Sequence, residues 1–198
     1  MPTSTDNVYA LILAAGASTR MGRPKQLLEW RNQTLLTHSI QCAQSILNEH
    51  IIVVLGAQNE SIQQTLHPDE ITLVINPDWQ EGMASSIRAG IQALPNSASA
   101  VLIMLCDQPL IETEHIQHLL TSWLSSPTNI IASQYHQSVG VPALFPAEFF
   151  VLLQSLQGDK GAKALLNYFE ERLIKIPMPE AELDIDNPED FARLTKQF

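Results

Sequence analysis

Val8-Tyr9-Ala10-Leu11-Ile12-Leu13-Ala14-Ala15-Gly16-Ala17-Ser18-Thr19-Arg20-Met21-Gly22-Arg23-Pro24-Lys25 is the stretch on which the reading of this chain turns. Its unbroken apolar start reads as a strand covered on both faces. It stops at small residues and glycines, where a backbone turns tightly and approaches a ligand closely. Three of the chain's 11 basic residues, Arg20, Arg23 and Lys25, fall in this one loop of a protein whose formal net charge is -10. Between Arg31 and Lys160 the only other Lys or Arg is Arg88. Positive charge concentrated where a buried strand ends points to an anionic ligand: free backbone N–H groups cradle phosphate oxygens, Arg offers a planar fork and Lys a point charge.

The loop is neither G-x-G-x-x-G nor G-x-x-x-x-G-K-[ST], so the dinucleotide fingerprint and the P-loop are both absent. The pattern Leu13-Ala14-Ala15-Gly16-x-Ser18-x-Arg20-Met21-Gly22-x-x-Lys25 instead resembles the signature loop of nucleotidyltransferases that activate small phosphorylated molecules with a nucleoside triphosphate. Among these it is most similar to the molybdenum cofactor cytidylyltransferases. The resemblance implies that Leu13, Ala14, Ala15, Gly16, Arg20 and Lys25 contact the nucleotide.

Length and composition are compatible with that class. A chain of 198 residues suits one domain, spanning 1–198, able to bury roughly 70% of its unfolded surface. No apolar run approaches the roughly 20 residues of a membrane span. Met1 to Asn7 is short and polar and lacks the basic and apolar regions of a signal peptide, so a cytoplasmic location is expected. The acidic balance speaks against a nucleic-acid partner, and no membrane partner is expected. Cys42 and Cys106 read as reduced, packed thiols. The six histidines show no H-x-x-x-H or Cys/His ligand spacing, and His115 and His118 read as a solvated helix face, so no zinc site is expected.

Along the chain, Leu27 to Asn48 carries near-helical apolar spacing and predicts the first crossover helix. Ile51 to Leu55 and Ile71 to Ile75 predict strands, with a short helix over Glu60 to Leu66 between them, the alternation that builds a parallel sheet covered on both faces. Gly82-Met83-Ala84-Ser85-Ser86 reads as a helix start, either a polar-ligand site or ordinary capping by Ser85 or Ser86. The family's W-x-x-G-M-x-x-S pattern implies nucleotide contacts by Gly82, Met83, Ser85 and Ser86. Ala100 to Cys106 is a strongly apolar strand running into Asp107, and a carboxylate at the carboxyl end of a central strand stands where open α/β sheets bind ligands. Asp107 reads either as a structural cap of the turn before Thr113-Glu114 or as a ligand of Mg²⁺, which takes one or two carboxylates plus substrate phosphates, and the resemblance implies the metal role.

A helix over Glu114 to Leu124 and a strand over Ile130 to Tyr135 follow. Gly140 and Pro142 make Ser138 to Pro146 an irregular or edge strand. It resembles the family's G-x-P-x-L-F segment, which implies that Gly140 and Pro142 line the acceptor pocket; some members carry histidine where this chain has Val141. Asp159 reads as a cap for a helix through Leu165, Leu166 and Phe169, with Lys160 and Lys163 restoring positive charge where an acceptor phosphate would sit. After a strand over Ile174 to Met178, Asp184-Ile185-Asp186 puts two carboxylates on one side of an extended segment. Asn187 and Pro188 suit the start of a last helix. Resemblance to a D-x-D-T-P-E-D motif, here with Asn187 for the usual threonine, implies that Asp186 is the second metal ligand.

The expected fold is α/β, a three-layer Rossmann-like nucleotidyltransferase with a mostly parallel sheet and one antiparallel excursion. The expected activity is Mg²⁺-dependent nucleotidyl transfer from CTP to a phosphorylated, molybdopterin-type acceptor, with Arg20, Lys25 and Asp107 as the catalytic groups and a molybdoenzyme as client. The rivals are a guanylyltransferase, which normally has Ala-Gly-Gly where this chain has Ala14-Ala15-Gly16, a sugar-phosphate or terpenoid-precursor cytidylyltransferase, a non-catalytic cofactor carrier or insertion chaperone, and, last, a dinucleotide-dependent oxidoreductase.

Overall fold

A computed structural model describes residues 4–197; residues 1–3, part of the polar N-terminal segment, and residue 198 lie outside it. The first strand, β1 (Val8–Ala14), is an interior strand of the sheet, paired on both sides. Its side chains alternate between two apolar cores: Ala10, Ile12 and Ala14 enter one, Leu11, Leu13 and the following Ala15 the other. That alternation explains the unbroken apolar run, since every position faces a helix layer.

The segment after the loop departs from expectation. In place of one helix from Leu27, a hairpin of β2 (Glu29–Trp30) and β3 (Gln33–Thr34) precedes α1 (Leu35–Leu47). Arg31 and Asn32 turn it at φ 48° and 66°. Positive φ at both central residues is the tight-hairpin geometry that asparagine tolerates. The helix then starts at Thr34, whose hydroxyl accepts from Thr37 N at 3.1 Å.

The next elements follow the expected alternation: β4 (Ile51–Leu55), α2 (Asn59–Gln63), β5 (Thr72–Ile75), α3 (Met83–Gln92) and β6 (Ala100–Leu105). Thereafter come α4 (Thr113–Ser125), β7 (Ile130–Tyr135), β8 (Ser138–Pro146), α5 (Phe150–Gln154), α6 (Lys163–Tyr168), β9 (Leu173–Pro177) and α7 (Pro188–Gln197). The seven-stranded sheet has the order β5-β4-β1-β6-β8-β7-β9. All its pairings are parallel except those of β8 with β6 and β7.

β8 is thus irregular, with a register shift against β7 and a cis Val141-Pro142 bond, but it is not an edge strand. Proline is tolerated here because the pairing breaks locally at the register shift. Because β8 runs antiparallel, its beginning lies at the same sheet end as the carboxyl ends of β1 and β6.

One face is covered by α1 and α4, through Leu36, Ile40, Ala43, Ile116, Leu119 and Trp123. The other is covered by α3, α5 and α6, through Ile87, Ile91, Leu153 and Leu166. Close contact of α3 with β1 requires Gly90, since a Cβ there would strike the Leu11 side chain. A third apolar cluster, of Met21, Leu28, Trp30, Leu35, Ile185 and Leu194, ties α7 and its approach to the hairpin and the first loop. Among the described residues no helix is long and apolar enough to cross a membrane.

Candidate active site

The loop after β1, the start of α3 and the end of β6 enclose a cleft of about 480 Å³ at the carboxyl edge of the sheet. Leu13, Ala14, Ala15, Gly16, Arg20 and Lys25 line it from the first loop, Gly82, Met83 and Ser86 from α3, and Asp107 from β6. Trp79, the first residue of the W-x-x-G-M-x-x-S pattern, lines it as well, as do Gln80 and Gln26, which the sequence reading did not single out.

Gln26 shapes the loop from within. It is 1% exposed, and its amide donates to the carbonyls of Ala14 at 2.8 Å and Gly16 at 3.0 Å. Its signal in the sequence is a polar residue next to Lys25 and followed by Leu27-Leu28, too short a pattern to mark it as buried. The turn is tightened by Ser18, at φ 53°, whose hydroxyl accepts from Lys25 N at 3.1 Å. These contacts place the Lys25 stem over the end of β6.

There Lys25 Nζ donates to Asp107 Oδ2 and, at 3.2 Å, to Asp186 Oδ1. Arg20 Nη2 bonds the other Asp186 oxygen at 2.9 Å. The Asp186 segment is held by its backbone: Ile185 N donates to Asp107 O at 2.9 Å, and Ile185 is fully buried in the third cluster. Asn187 caps α7 through its side chain, accepting from Asp190 N at 2.9 Å, with Pro188 opening the helix as expected. Two carboxylates and two cations, far apart in sequence, therefore meet at one corner of the cleft.

The electrostatics follow from this crowding. Burial works against the Lys25 ammonium, but the charge of Asp107, the hydrogen bond to it and the Asp186 charge outweigh burial and hold its pKa above the ordinary lysine value. Asp184, another residue the sequence reading gave no separate role, keeps an exposed surface, yet desolvation by its neighbours and then the Asp107 charge push its carboxyl above the ordinary aspartate range, with Lys25 pulling the other way. Burial, then the Asp107 charge, raises the Cys106 thiol to about 12, so this cleft-lining cysteine is no ready nucleophile. Both cysteines are free and buried.

The α3 start differs from the capping expectation. Gly82, at φ 108°, is the residue before the helix and no side chain caps it. Ser85 lies behind the cleft lining: its hydroxyl donates to Gly82 O at 2.9 Å and accepts from Asn76 Nδ2 at 2.8 Å. Asn76, 3% exposed, also donates to Ser86 at 3.0 Å and so braces the whole turn.

Asp159 does not cap the following helix, which begins after Ala162. It lies instead across the cleft mouth, where a Cβ on Gly82 would strike its carboxylate. Gly140, Pro142 and Lys160 are not among the residues lining this cleft. Gly140 sits under the Tyr135 hydroxyl, Pro142 is buried with its carbonyl bonded to Ser133 at 2.8 Å, and Lys160 is exposed. Gln108, 2% exposed, steadies this region by donating to the carbonyls of Val141 and Ala181.

Two histidine readings also change. His115 is half-buried and accepts from Glu112 N at 2.9 Å, while His118 remains exposed. Away from the cleft, His38, Cys42 and Glu112 approach one another. Their i,i+4 His/Cys spacing on α1 is present in the sequence, but the carboxylate that completes the group comes from 70 residues further on.

The family profile of the MobA-like NTP transferase domain matches residues 10–174. Nicotine blue oxidoreductase of Paenarthrobacter nicotinovorans is 30% identical over 172 residues, covering 80% of this chain and 81% of the relative. Molybdenum cofactor cytidylyltransferase of Escherichia coli K12 is 26% identical over 193 residues, covering 96% and 97%. Among solved structures, Rv0371c of Mycobacterium tuberculosis in complex with manganese superposes with a TM-score of 0.82 at 26% identity, covering 97% of this chain and 100% of that one.

Proposed function

Since this chain belongs to the MobA-like NTP transferase domain family, we propose that it transfers a cytidylyl group from CTP to the phosphate of a molybdopterin-type acceptor. A phosphate oxygen of the acceptor attacks the α-phosphorus, a new P–O bond forms, the bond to the β-phosphate oxygen breaks, and pyrophosphate leaves. The attacking oxygen is already ionised near neutral pH, so the chain needs to supply no strong base. Its task is to position the two phosphates in line and neutralise their charge. Backbone N–H groups of the 14–17 loop are suited to cradle the triphosphate, with Arg20 and Lys25 as the cations and the α3 start under the base or ribose.

The observation that carries this reading is the corner where Arg20, Lys25, Asp107 and Asp186 converge beside that loop. The same corner suits a divalent cation, Mg²⁺ in our reading, held by Asp107 and Asp186. Asp107 Oδ1 is buried without any hydrogen-bond partner, and carboxylate oxygens are the hard donors such an ion takes. The ion would supply further neutralisation of the triphosphate charge. A phosphate-bearing acceptor would approach from the Gly140 and Pro142 side, past Asp159 and Lys160, and a molybdoenzyme would receive the product.

Base choice rests on Ala15, which is 6% exposed and lines the cleft, where glycine would leave a methyl's worth of room for a purine. The test is mass spectrometry of products from each triphosphate with a panel of phosphorylated acceptors, and kcat/KM for CTP and GTP in wild type and Ala15→Gly. A methyl-sized change in room corresponds to about 10- to 200-fold in discrimination. Wild-type preference for GTP would overturn the cytidylyl reading.

The 30% identity to an oxidoreductase favours one second reading, hydride transfer in the same cleft. A product assay separates the two: pyrophosphate release without oxidation of a nicotinamide cofactor would exclude hydride transfer.

A further inference from the structure

Away from the cleft, on the sheet face covered by α1 and α4, three side chains with metal-binding atoms point at one another. His38 and Cys42 lie one helical turn apart on α1, and Glu112 immediately precedes α4. Cys42 Sγ is 3.7 Å from His38 Nε2 and 3.9 Å from Glu112 Oε2, and the last two atoms are 4.0 Å apart. The centre of so nearly equilateral a triangle is about 2.2 Å from each corner, within about 0.2 Å of the usual zinc distances to sulfur, imidazole nitrogen and carboxylate oxygen.

The surroundings supply what such a site needs. His38 and Cys42 are buried, while Glu112 is half-exposed and leaves a side open to a fourth ligand. Arg31 bonds Glu112 Oε1 at 2.6 Å, which orients the carboxylate with Oε2 toward the other two donors. His38 Nδ1 is 3.2 Å from the Gln33 side-chain amide, and Nε2 is 3.0 Å from the Ile111 carbonyl. With Nε2 on a metal, the ring proton moves to Nδ1 and the Gln33 amide turns to accept it, the outer-shell bond that metal-bound histidines habitually make. The Ile111 carbonyl, also 3.6 Å from Cys42 Sγ, is then released to face the ion or the open side.

We propose that His38, Cys42 and Glu112 form a second metal site, separate from the nucleotide cleft, that takes a borderline-soft divalent cation of the Zn²⁺ type and clamps α1 to the start of α4. Binding forms one metal–sulfur, one metal–nitrogen and one metal–oxygen bond and releases the Cys42 thiol proton to solvent, with no change of oxidation state. Because binding displaces the thiol proton, affinity rises with pH.

The test starts from EDTA-treated full-length protein titrated with Co²⁺, whose thiolate charge-transfer absorption reports a Cys ligand. One equivalent should produce that band, Zn²⁺ should abolish it, and Asp107→Asn should leave it intact. Cys42→Ser should remove it, and Glu112→Gln should weaken binding about tenfold or more. In parallel, Zn²⁺ at about a hundredfold excess over its Kd should raise the Tm of wild type by about 5 °C or more and leave that of Cys42→Ser unmoved. A wild-type protein that shows no charge-transfer band, or a band that persists in Cys42→Ser, overturns the proposal. Either result leaves the nucleotidyl-transfer reading standing, because neither measurement involves the triphosphate.

Discussion

Replacing Lys25 by methionine removes the cation that joins Asp107 to Asp186 while keeping a long stem in place. Asp107 then loses its cation and Asp186 keeps only Arg20, so the nucleotide-free protein should bind a divalent cation more tightly than wild type. A unit charge about 4 Å away is worth about 4 kcal/mol at an effective dielectric constant of about 20. The Asp186 side chain is 37% exposed, so solvent screens part of this, and a discounted 1.5 to 3 kcal/mol corresponds to about 10- to 100-fold in affinity. Transfer should move the opposite way, falling about 30- to 1000-fold as the triphosphate loses a charge-assisted contact. Free Mn²⁺ measured by electron paramagnetic resonance, with and without CTP, gives the first quantity and pyrophosphate release the second. A melting profile confirms that the variant is folded. Unchanged or weaker Mn²⁺ binding by a folded Lys25→Met protein would refute the view that Lys25 balances the charge of this corner.

Gln26→Ala should strip the Ala14 and Gly16 carbonyls of their partner, costing about 1 to 3 kcal/mol and raising KM for the triphosphate about tenfold; an unaltered KM with intact stability would remove Gln26 from the loop's support. Gly90→Ala should drive a methyl into Leu11 and lower stability by about 1 to 3 kcal/mol in chemical denaturation, with the cleft's chemistry little changed in the protein that remains folded. The bidentate bonds from Arg172 to Glu148, at 2.9 and 2.7 Å, hold the Glu148 carboxyl below its ordinary pKa. Stability from this pair is present above the unfolded glutamate value of about 4.3 and lost as pH falls through the lower folded value, so Glu148→Gln should flatten the acid limb of the stability profile slightly.

What the sequence made legible and what it hid have physical causes. β1 and its loop were readable because strand, turn and cations are contiguous, and Asp107 because a strand end predicts its own position. The hairpin before α1 was missed because Leu27, Leu28 and Trp30 continue an apolar spacing that a helix also satisfies, while the turn signal rests on Asn32 alone. Gly140 and Pro142 announced an irregular β8, but strand order is set by partners elsewhere in the chain, so its place inside the sheet was not available locally. The same holds for Gln26, Gln108 and Asn76: a polar side chain becomes structural only when the carbonyls or hydroxyls it serves are folded around it. Asp159 had the right neighbours for a helix cap, and tertiary contact with Gly82 claimed it instead.

The pairing of Lys25 with Asp186 joins residues 161 positions apart, and the strut that delivers Asp186 is clamped by Leu194. During synthesis, when the chain emerges from the ribosome at about 5 to 20 residues per second, the central strands have everything they need to pair long before this corner can close. For that interval the nascent chain has Lys25 and Asp107 to pair with each other, while Arg20 has yet to meet Asp186. This corner thus closes only after the segment bearing Asp186 has been made, and its closure reports that the Ile185–Leu194 contact has formed.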